Sequence, residues 1–202
     1  MAYFPFFADI EGRRFLIIGG GRIALQKVQA LLPFAPDITV AAPEICLELQ
    51  TVPGIRLLRT GWQESLADSA EIIIAATDDA ALNHSIASFC RERHIPVNSV
   101  DCRPDCDFIF PALVKDGPLT IGISTAGASP SAAKYLKKQI RSSIPESFGD
   151  ILEGLAALRP MVINTVPAAD RAEAFRRLFE ESLAAGRPLG DDEAKELLSS
   201  IF

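Results

Sequence analysis

Residues 15–27 read FLIIGGGRIALQK. Residues 15–18 are an unbroken apolar run of the length and type of a short buried strand. Three consecutive glycines follow, and then Ile23, Leu25, Val28, Leu31 and Leu32 recur at helical spacing until Pro33 and Pro36 end the pattern. Gly19, Gly21 and Ala24 fit G-x-G-x-x-A at the turn from that strand into that helix. Each position has a physical reason. Gly19 permits the tight turn, and Gly21 lets a pyrophosphate approach the backbone with no Cβ in the way. Ala24 keeps the helix close to the sheet, and the helix N-terminus offers unpaired N–H groups to the anion. A bare glycine pattern is weak, because glycine turns are common. The order strand, glycine turn, helix, strand is the context the motif requires, and it is present here.

The rest of the first half repeats that alternation. Residues 37–42 (DITVAA) and 55–58 (IRLL) read as strands, the second after the turn signal Pro53-Gly54. EIIIAAT at 71–77 is a continuous apolar run, as in a central parallel strand covered on both faces. Residues 80–92 read as a helix with Asp78 or Asp79 placed to cap it, and 96–100 (PVNSV) as a fifth strand. Segments 108–113 and 119–124 are extended. Strand–helix alternation to about residue 112 predicts an α/β fold with a Rossmann-like parallel sheet. Beyond it, STAGASPS at 124–131 is a small-residue loop, and residues 132–143 read as a basic helix broken by Pro145. From Phe148 onward the pattern is helical, with stops expected near Pro160, Pro167 and Arg187-Pro188. Boundaries fall near 112 and 146.

Composition limits the function classes. The chain has 202 residues, 49% hydrophobic and 23% charged, with a net charge of −6. No apolar run approaches the ~18 residues of a membrane span. The acidic balance argues against general nucleic-acid or membrane-surface binding. The N-terminal MAYFPFFADIEGRR has no basic start and no cleavage signature, so no signal peptide is expected and a cytoplasmic location is. Cys46, Cys90, Cys102 and Cys106 read as reduced thiols. Cys102 and Cys106 lack the second pair a zinc site needs, and with His84 and His94 as the only histidines no metal site is expected.

An acid at the end of the second strand normally reads the adenosine ribose. Here that strand ends in Ala41-Ala42-Pro43, and the first acid is Glu44. Glu44 is either that ribose contact or a helix-start carboxylate. Arg22, beside the phosphate site, is either a phosphate contact or a solvated surface arginine; NAD is preferred to NADP.

GGGRIALQK, AATDD (75–79), VNSVD (97–101), CDFIFPALV (106–114) and STAGASPSAAKYLKKQI (124–140) stand in the order found in precorrin-2 dehydrogenases. That family comprises stand-alone enzymes and the N-terminal modules of siroheme synthases. The resemblance spans residues 1 to about 145. It implies a domain at 1–112 that binds NAD through Gly19, Gly20, Gly21, Arg22 and Ile23, with Pro43, Glu44, Thr77 and Asp78. It implies a dimerisation and active-site segment at 113–145, a C-terminal helical domain at 146–202, and a homodimer. The reaction implied is removal of two electrons and two protons from precorrin-2, a polycarboxylate tetrapyrrole, to give sirohydrochlorin. Some members also insert ferrous iron.

The family's catalytic carboxylate corresponds to Asp101. Ligands of open α/β sheets bind beyond the carboxyl ends of the strands, so an aspartate there stands where a base is needed; its structural alternative is a turn cap in DCRPD. The family often has a second acid next, where this chain has Cys102. That departure puts a two-carboxylate mechanism in doubt. His94 reads as a cap or surface residue, and His84 as structural. Ser124, Thr125, Gly127 and Ser129 form a loop before a helix, of the kind that binds anions. Lys134, Lys137, Lys138 and Arg141 share one face of the helix that follows. With the loop, Lys134 and Lys138 are the candidate contacts for substrate carboxylates; the alternative is a solvated helix face.

Three functions compete: the dehydrogenase alone, a bifunctional dehydrogenase and ferrochelatase, and an NAD(H)-sensing module without chemistry. VNSVD, the serine loop and the basic helix discriminate, since a sensor needs none of them. A dehydrogenase for an unrelated small substrate would need a dedicated His, Lys or Tyr pair, and none is legible.

Overall fold

The computed structural model describes residues 3–201. Met1, Ala2 and Phe202, with the extreme ends of the first and last expected segments, lie outside the described residues. The chain divides into two compact units. One is Pro5–Phe110 and the other takes in 111–201.

The first unit is built on β1 (Arg14–Ile18), β2 (Asp37–Ala41), β3 (Ile55–Leu58), β4 (Ile72–Ala75) and β5 (Val97–Ser99). They form one parallel sheet in the order β3-β2-β1-β4-β5. Three helices belong to it: α1 (Arg22–Leu31), the single turn α2 (Leu47–Gln50) and α3 (Ala80–Glu92). Successive strand residues point to opposite faces, and both faces are covered. Phe15, Ile17, Ile38, Val40 and Ile74 pack with Ala24, Val28 and Leu31 of α1 and Leu49 of α2. Leu16, Ile18, Ile73, Ala75 and Val97 pack with Ile86, Ala87 and Cys90 of α3. That is why the strands read as continuous apolar runs rather than alternating ones. Each fully buried Ile or Val contributes about 2 kcal/mol of transfer free energy.

Register places the site. Ile18 pairs with both Ala41 and Ala75, and Ala75 pairs with Ser99. The loops leaving β1, β2, β4 and β5 therefore emerge side by side along one edge. Between β1 and β4 the strand order reverses, which opens the crevice where such sheets bind ligands.

The second unit begins with an antiparallel hairpin of β6 (Ala112–Asp116) and β7 (Leu119–Ile123). Four helices follow: α4 (Pro130–Ser143), α5 (Phe148–Thr165), α6 (Arg171–Ala185) and α7 (Asp191–Ser199). Leu158, Val162, Ala174, Leu178, Ala194 and Leu198 form the core of α5, α6 and α7.

Three sequence expectations need correction. The extended segment at 108–113 becomes a strand only from Ala112; before it, the Phe108 carbonyl accepts from Asn98 Nδ2 at 2.9 Å rather than from a ladder. The basic helix begins two residues early, because Ser129 caps it and Pro130 takes the first helical position, where its missing N–H costs nothing. Pro160 does not stop its helix. α5 runs through it to Thr165, since Leu158 and Val162 on either side are buried in the helical core, and that burial outweighs one lost backbone bond.

Candidate active site at the carboxyl edge of the sheet

The glycine loop divides into two kinds of glycine. Gly19 has φ +128°, and a Cβ there would lie 2.2 Å from the Ala76 carbonyl oxygen. A Cβ on Gly20 would lie 2.0 Å from the Glu44 carbonyl oxygen, and the Cys46 N–H closes the same contact on the Gly20 carbonyl at 2.8 Å. The fold itself demands these two glycines. Gly21 differs: a Cβ there would meet nothing within 4 Å, and its φ of −93° suits any residue. No backbone contact demands a glycine at 21; a helix N-cap favours glycine among several small or polar residues, and the open space beside it leaves room for a ligand laid against the loop. Gly21 is also the N-cap of α1. No side chain caps this helix and no acid stands in its first turn, so its leading N–H groups and dipole face outward. Arg22 is exposed, and Ile23 is 47% exposed although large and apolar. Pro43 and Glu44 lie exposed in the loop that contacts Gly20. Glu44 is not a helix-start carboxylate, because α2 begins at Leu47 with Cys46 as its cap and Glu48 in its first turn. This edge can take an anionic group at Gly21 and the open N-terminus of α1, with the exposed carboxylate of Glu44 on the neighbouring loop.

Beyond β4, Thr77 and Asp78 begin the next loop. Asp79, not Asp78, caps α3, accepting from Ala81 N at 2.9 Å and Leu82 N at 3.1 Å. Asp78 is exposed. Just past β5 stands Asp101, also exposed. Its Oδ1 accepts from Ser99 Oγ at 2.7 Å and its Oδ2 from Asn83 Nδ2 at 3.1 Å. Partial burial works to raise its pKa. Donation by Ser99, by Asn83 and by its own backbone N–H prevails over that and over repulsion from Asp105, and holds the carboxyl below the usual carboxylate range. At neutral pH it is an ionised, exposed base.

Asn83 escaped sequence reading. It sits inside an amphipathic helix with no motif around it, yet it is completely buried. Its Oδ1 accepts from Thr77 N at 3.1 Å and lies 2.8 Å from Thr77 Oγ1. Its Nδ2 donates to Thr77 O and to Asp101 Oδ2, both at 3.1 Å. The available signal was its position, one helical turn beyond the Asp79 cap.

His84, the next residue, is not an idle helix residue. Its Nδ1 lies 2.7 Å from Asp105 Oδ2, and Arg91 reaches the other oxygen at 3.5 Å. Asp105 is 4% exposed, and these partners, His84 first, lower its pKa against the effect of burial. Cys102 bonds the same carboxylate, which pushes its thiol up. Burial does the same to Cys106, whose Sγ is held by Ser99 N at 3.2 Å and Ser99 O at 3.0 Å. Both cysteines therefore buttress the Asp101 loop as neutral thiols. His94 is exposed, with φ +56°, just past the end of α3.

In the second unit the serine loop is closed on itself. Ser124 Oγ accepts from Ala126 N at 3.1 Å, Thr125 Oγ1 donates to Ser129 O at 3.0 Å, and Ser129 Oγ accepts from Ala132 N at 3.1 Å. Gly127 has φ +77°, which glycine adopts without strain. Lys134, Lys137 and Lys138 are exposed on α4. Arg141 pairs with Asp116 at 3.0 Å. Lys137 and Arg141, rather than Lys134 and Lys138, line a shallow hollow of about 310 Å³ with Leu113, Val114 and Lys115.

Residues 6–112 match the family described as putative NAD(P)-binding, and residues 116–143 match the sirohaem biosynthesis protein central family. Siroheme synthase of Sodalis glossinidius is 35% identical over 190 residues, covering 93% of this chain and 40% of that protein. Siroheme synthase of Pseudomonas fluorescens is 37% identical over 204 residues, covering 98% and 44%. The chain thus spans about two-fifths of the length of these relatives. A solved structure titled SirC, precorrin-2 dehydrogenase, matches with a TM-score of 0.75 at 25% identity over 98% of each chain.

Proposed function

The chain belongs to the putative NAD(P)-binding family, with NAD as its cofactor, and from this premise we propose that it oxidises precorrin-2 to sirohydrochlorin in siroheme synthesis. The observation that carries the reading is Asp101, an ionised, exposed carboxylate on the same sheet edge as the ligand-facing Gly21. The balance is simple: the substrate loses one hydrogen as hydride and one as a proton. NAD, when bound, supplies the hydride acceptor. Gly19, Gly20, Gly21, Arg22 and Ile23 hold its pyrophosphate side, Pro43 and Glu44 its ribose, and Thr77 and Asp78 the crevice between β1 and β4. Asp101 accepts the proton. Ser124, Thr125, Gly127, Ser129, Lys134 and Lys138 bind the carboxylates of the tetrapyrrole; Lys137 and Arg141 join them, on the strength of the hollow they line.

In this reading residues 1–112 hold the cofactor, 113–145 form the dimerisation and active-site segment, and 146–202 the helical domain of a homodimer. No helix among the described residues is long and apolar enough to cross a membrane. The cytoplasmic location belongs to the same proposal, and the four free cysteines suit a reducing compartment. The same carboxylate suits a second activity, removal of pyrrole protons while ferrous iron enters as substrate.

The test is anaerobic mixing of the protein with precorrin-2 and NAD, following NADH and sirohydrochlorin by absorbance. Equal appearance of both, absent without NAD, is expected. No product from folded, NAD-binding protein overturns the reading in favour of a sensor; added ferrous iron then decides chelation.

A further inference from the structure

We propose that Asn83 is the positioning residue of this site: it ties Thr77, behind the cofactor crevice, to Asp101 and holds that carboxylate aimed and ready to accept a proton. The inference rests on the dehydrogenase reading for its purpose, but its geometry stands alone.

A primary amide offers two hydrogens and one oxygen, and Asn83 uses all three. The oxygen takes Thr77 N–H and meets the Thr77 hydroxyl, one hydrogen goes back to the Thr77 carbonyl, and the other goes to Asp101 Oδ2. Thr77 follows β4 and Asp101 follows β5, so one side chain from α3 bridges two neighbouring strand ends. A completely buried amide between two loops has no water to compensate for a lost partner, and the two loops therefore hold each other in place. Ser99 supplies the second donor to Asp101 from the strand itself. Asp105 is the charge that opposes ionisation, and Cys102 is the titratable neighbour in the same loop. A bond to a carboxylate favours its charged form, so Asn83 helps keep Asp101 a base.

Two variants test this. Asn83→Asp keeps shape and the acceptor toward Thr77 N–H but replaces the donor to Asp101 by a second carboxyl. Two acids at this distance share one proton, so the pair titrates with one step above the ordinary carboxylate range. Asn83→Ala removes every bond, and the Asp101 carboxyl titrates at higher pH than in the unaltered protein. The readout is NMR of ¹³C-carboxyl aspartate, with thermal melting as the check of folding. It needs neither precorrin-2 nor turnover, so its failure is distinguishable from failure of the dehydrogenase reading. Where turnover is present, the acid limb of kcat/KM moves up by the same amount. A drop in melting temperature with the Asp101 titration unmoved makes Asn83 merely structural and overturns the proposal. In the unaltered protein one Asn83 amide hydrogen shifts in step with Asp101 ionisation; if neither amide resonance follows that titration, the proposal falls whether or not the variants fold.

Discussion

Gly19 and Ala76 approach so closely that a Cβ on the glycine would stand 2.2 Å from the alanine carbonyl oxygen, while Gly21, two residues on, has nothing within 4 Å. Gly19→Ala and Gly20→Ala are therefore expected to lose roughly 3 kcal/mol or more, through overlap with the backbone and, at Gly19, through a positive φ as well. Gly21→Ala leaves stability within about 1 kcal/mol and weakens NAD binding by roughly tenfold or more, since the methyl occupies the space of the ligand. Chemical denaturation and NAD titration of the three variants check this. Equal destabilisation by all three would remove the case for a ligand at Gly21.

Asp101→Asn keeps the shape of the side chain but removes the base, and its single amide oxygen accepts from only one of Ser99 and Asn83. Turnover is expected to fall by about 10²–10⁴-fold with NAD affinity nearly unchanged. Steady-state kinetics and NAD titration on the same preparation separate the two effects.

Asp105 is held by His84 and Arg91, and its pKa in the folded chain lies below its ordinary value near 4. Its contribution is fully present above the unfolded value and is lost as pH falls through the folded value. His84→Gln raises the Asp105 pKa, moves this loss to higher pH, and costs about 1 kcal/mol at pH 7, since His84 is 64% exposed at the side chain and solvent screens part of the bond. Melting temperatures from pH 3 to 7 should converge for the two proteins at the acidic end.

In the second unit, Gly117 and Gly149 meet backbone to backbone, a Cβ on Gly117 lying 3.0 Å from Gly149 Cα. Gly149→Val is expected to destabilise this unit by about 2 kcal/mol, because it meets the backbone of Asp116 and Gly117 at 3.0 Å. Denaturant melts with a fluorescence label on α5 would detect it.

Charge reversal on α4 separates the substrate face from a solvated one. Lys137→Glu is expected to raise KM for the polycarboxylate several-fold with kcat little changed and folding unaffected, because Lys137 is exposed and lines the hollow. Lys134→Glu and Lys138→Glu, outside that hollow, report whether the whole face contributes.

Much of the first unit was legible in FLIIGGGRIALQK and the strands after it, because burial on both faces of a parallel sheet and a glycine turn into a helix are local patterns that leave local marks. The continuous apolar run at β4 and the aspartate cap of α3 are of that kind. Asp101 was legible as the residue following a strand. The rest was decided by tertiary structure. A helix pattern cannot announce that Asn83 faces inward to two other loops, since its partners lie 6 and 18 positions away. Nor could it tell that His84 reaches Asp105, that Cys102 and Cys106 brace the Asp101 loop, or that α5 continues through Pro160. The three glycines show the division best. In sequence they are one motif; in space two are required by the backbone oxygens of Ala76 and Glu44 and the third faces open space, and only the folded chain separates them, because the atoms that crowd the first two come from residues distant in sequence.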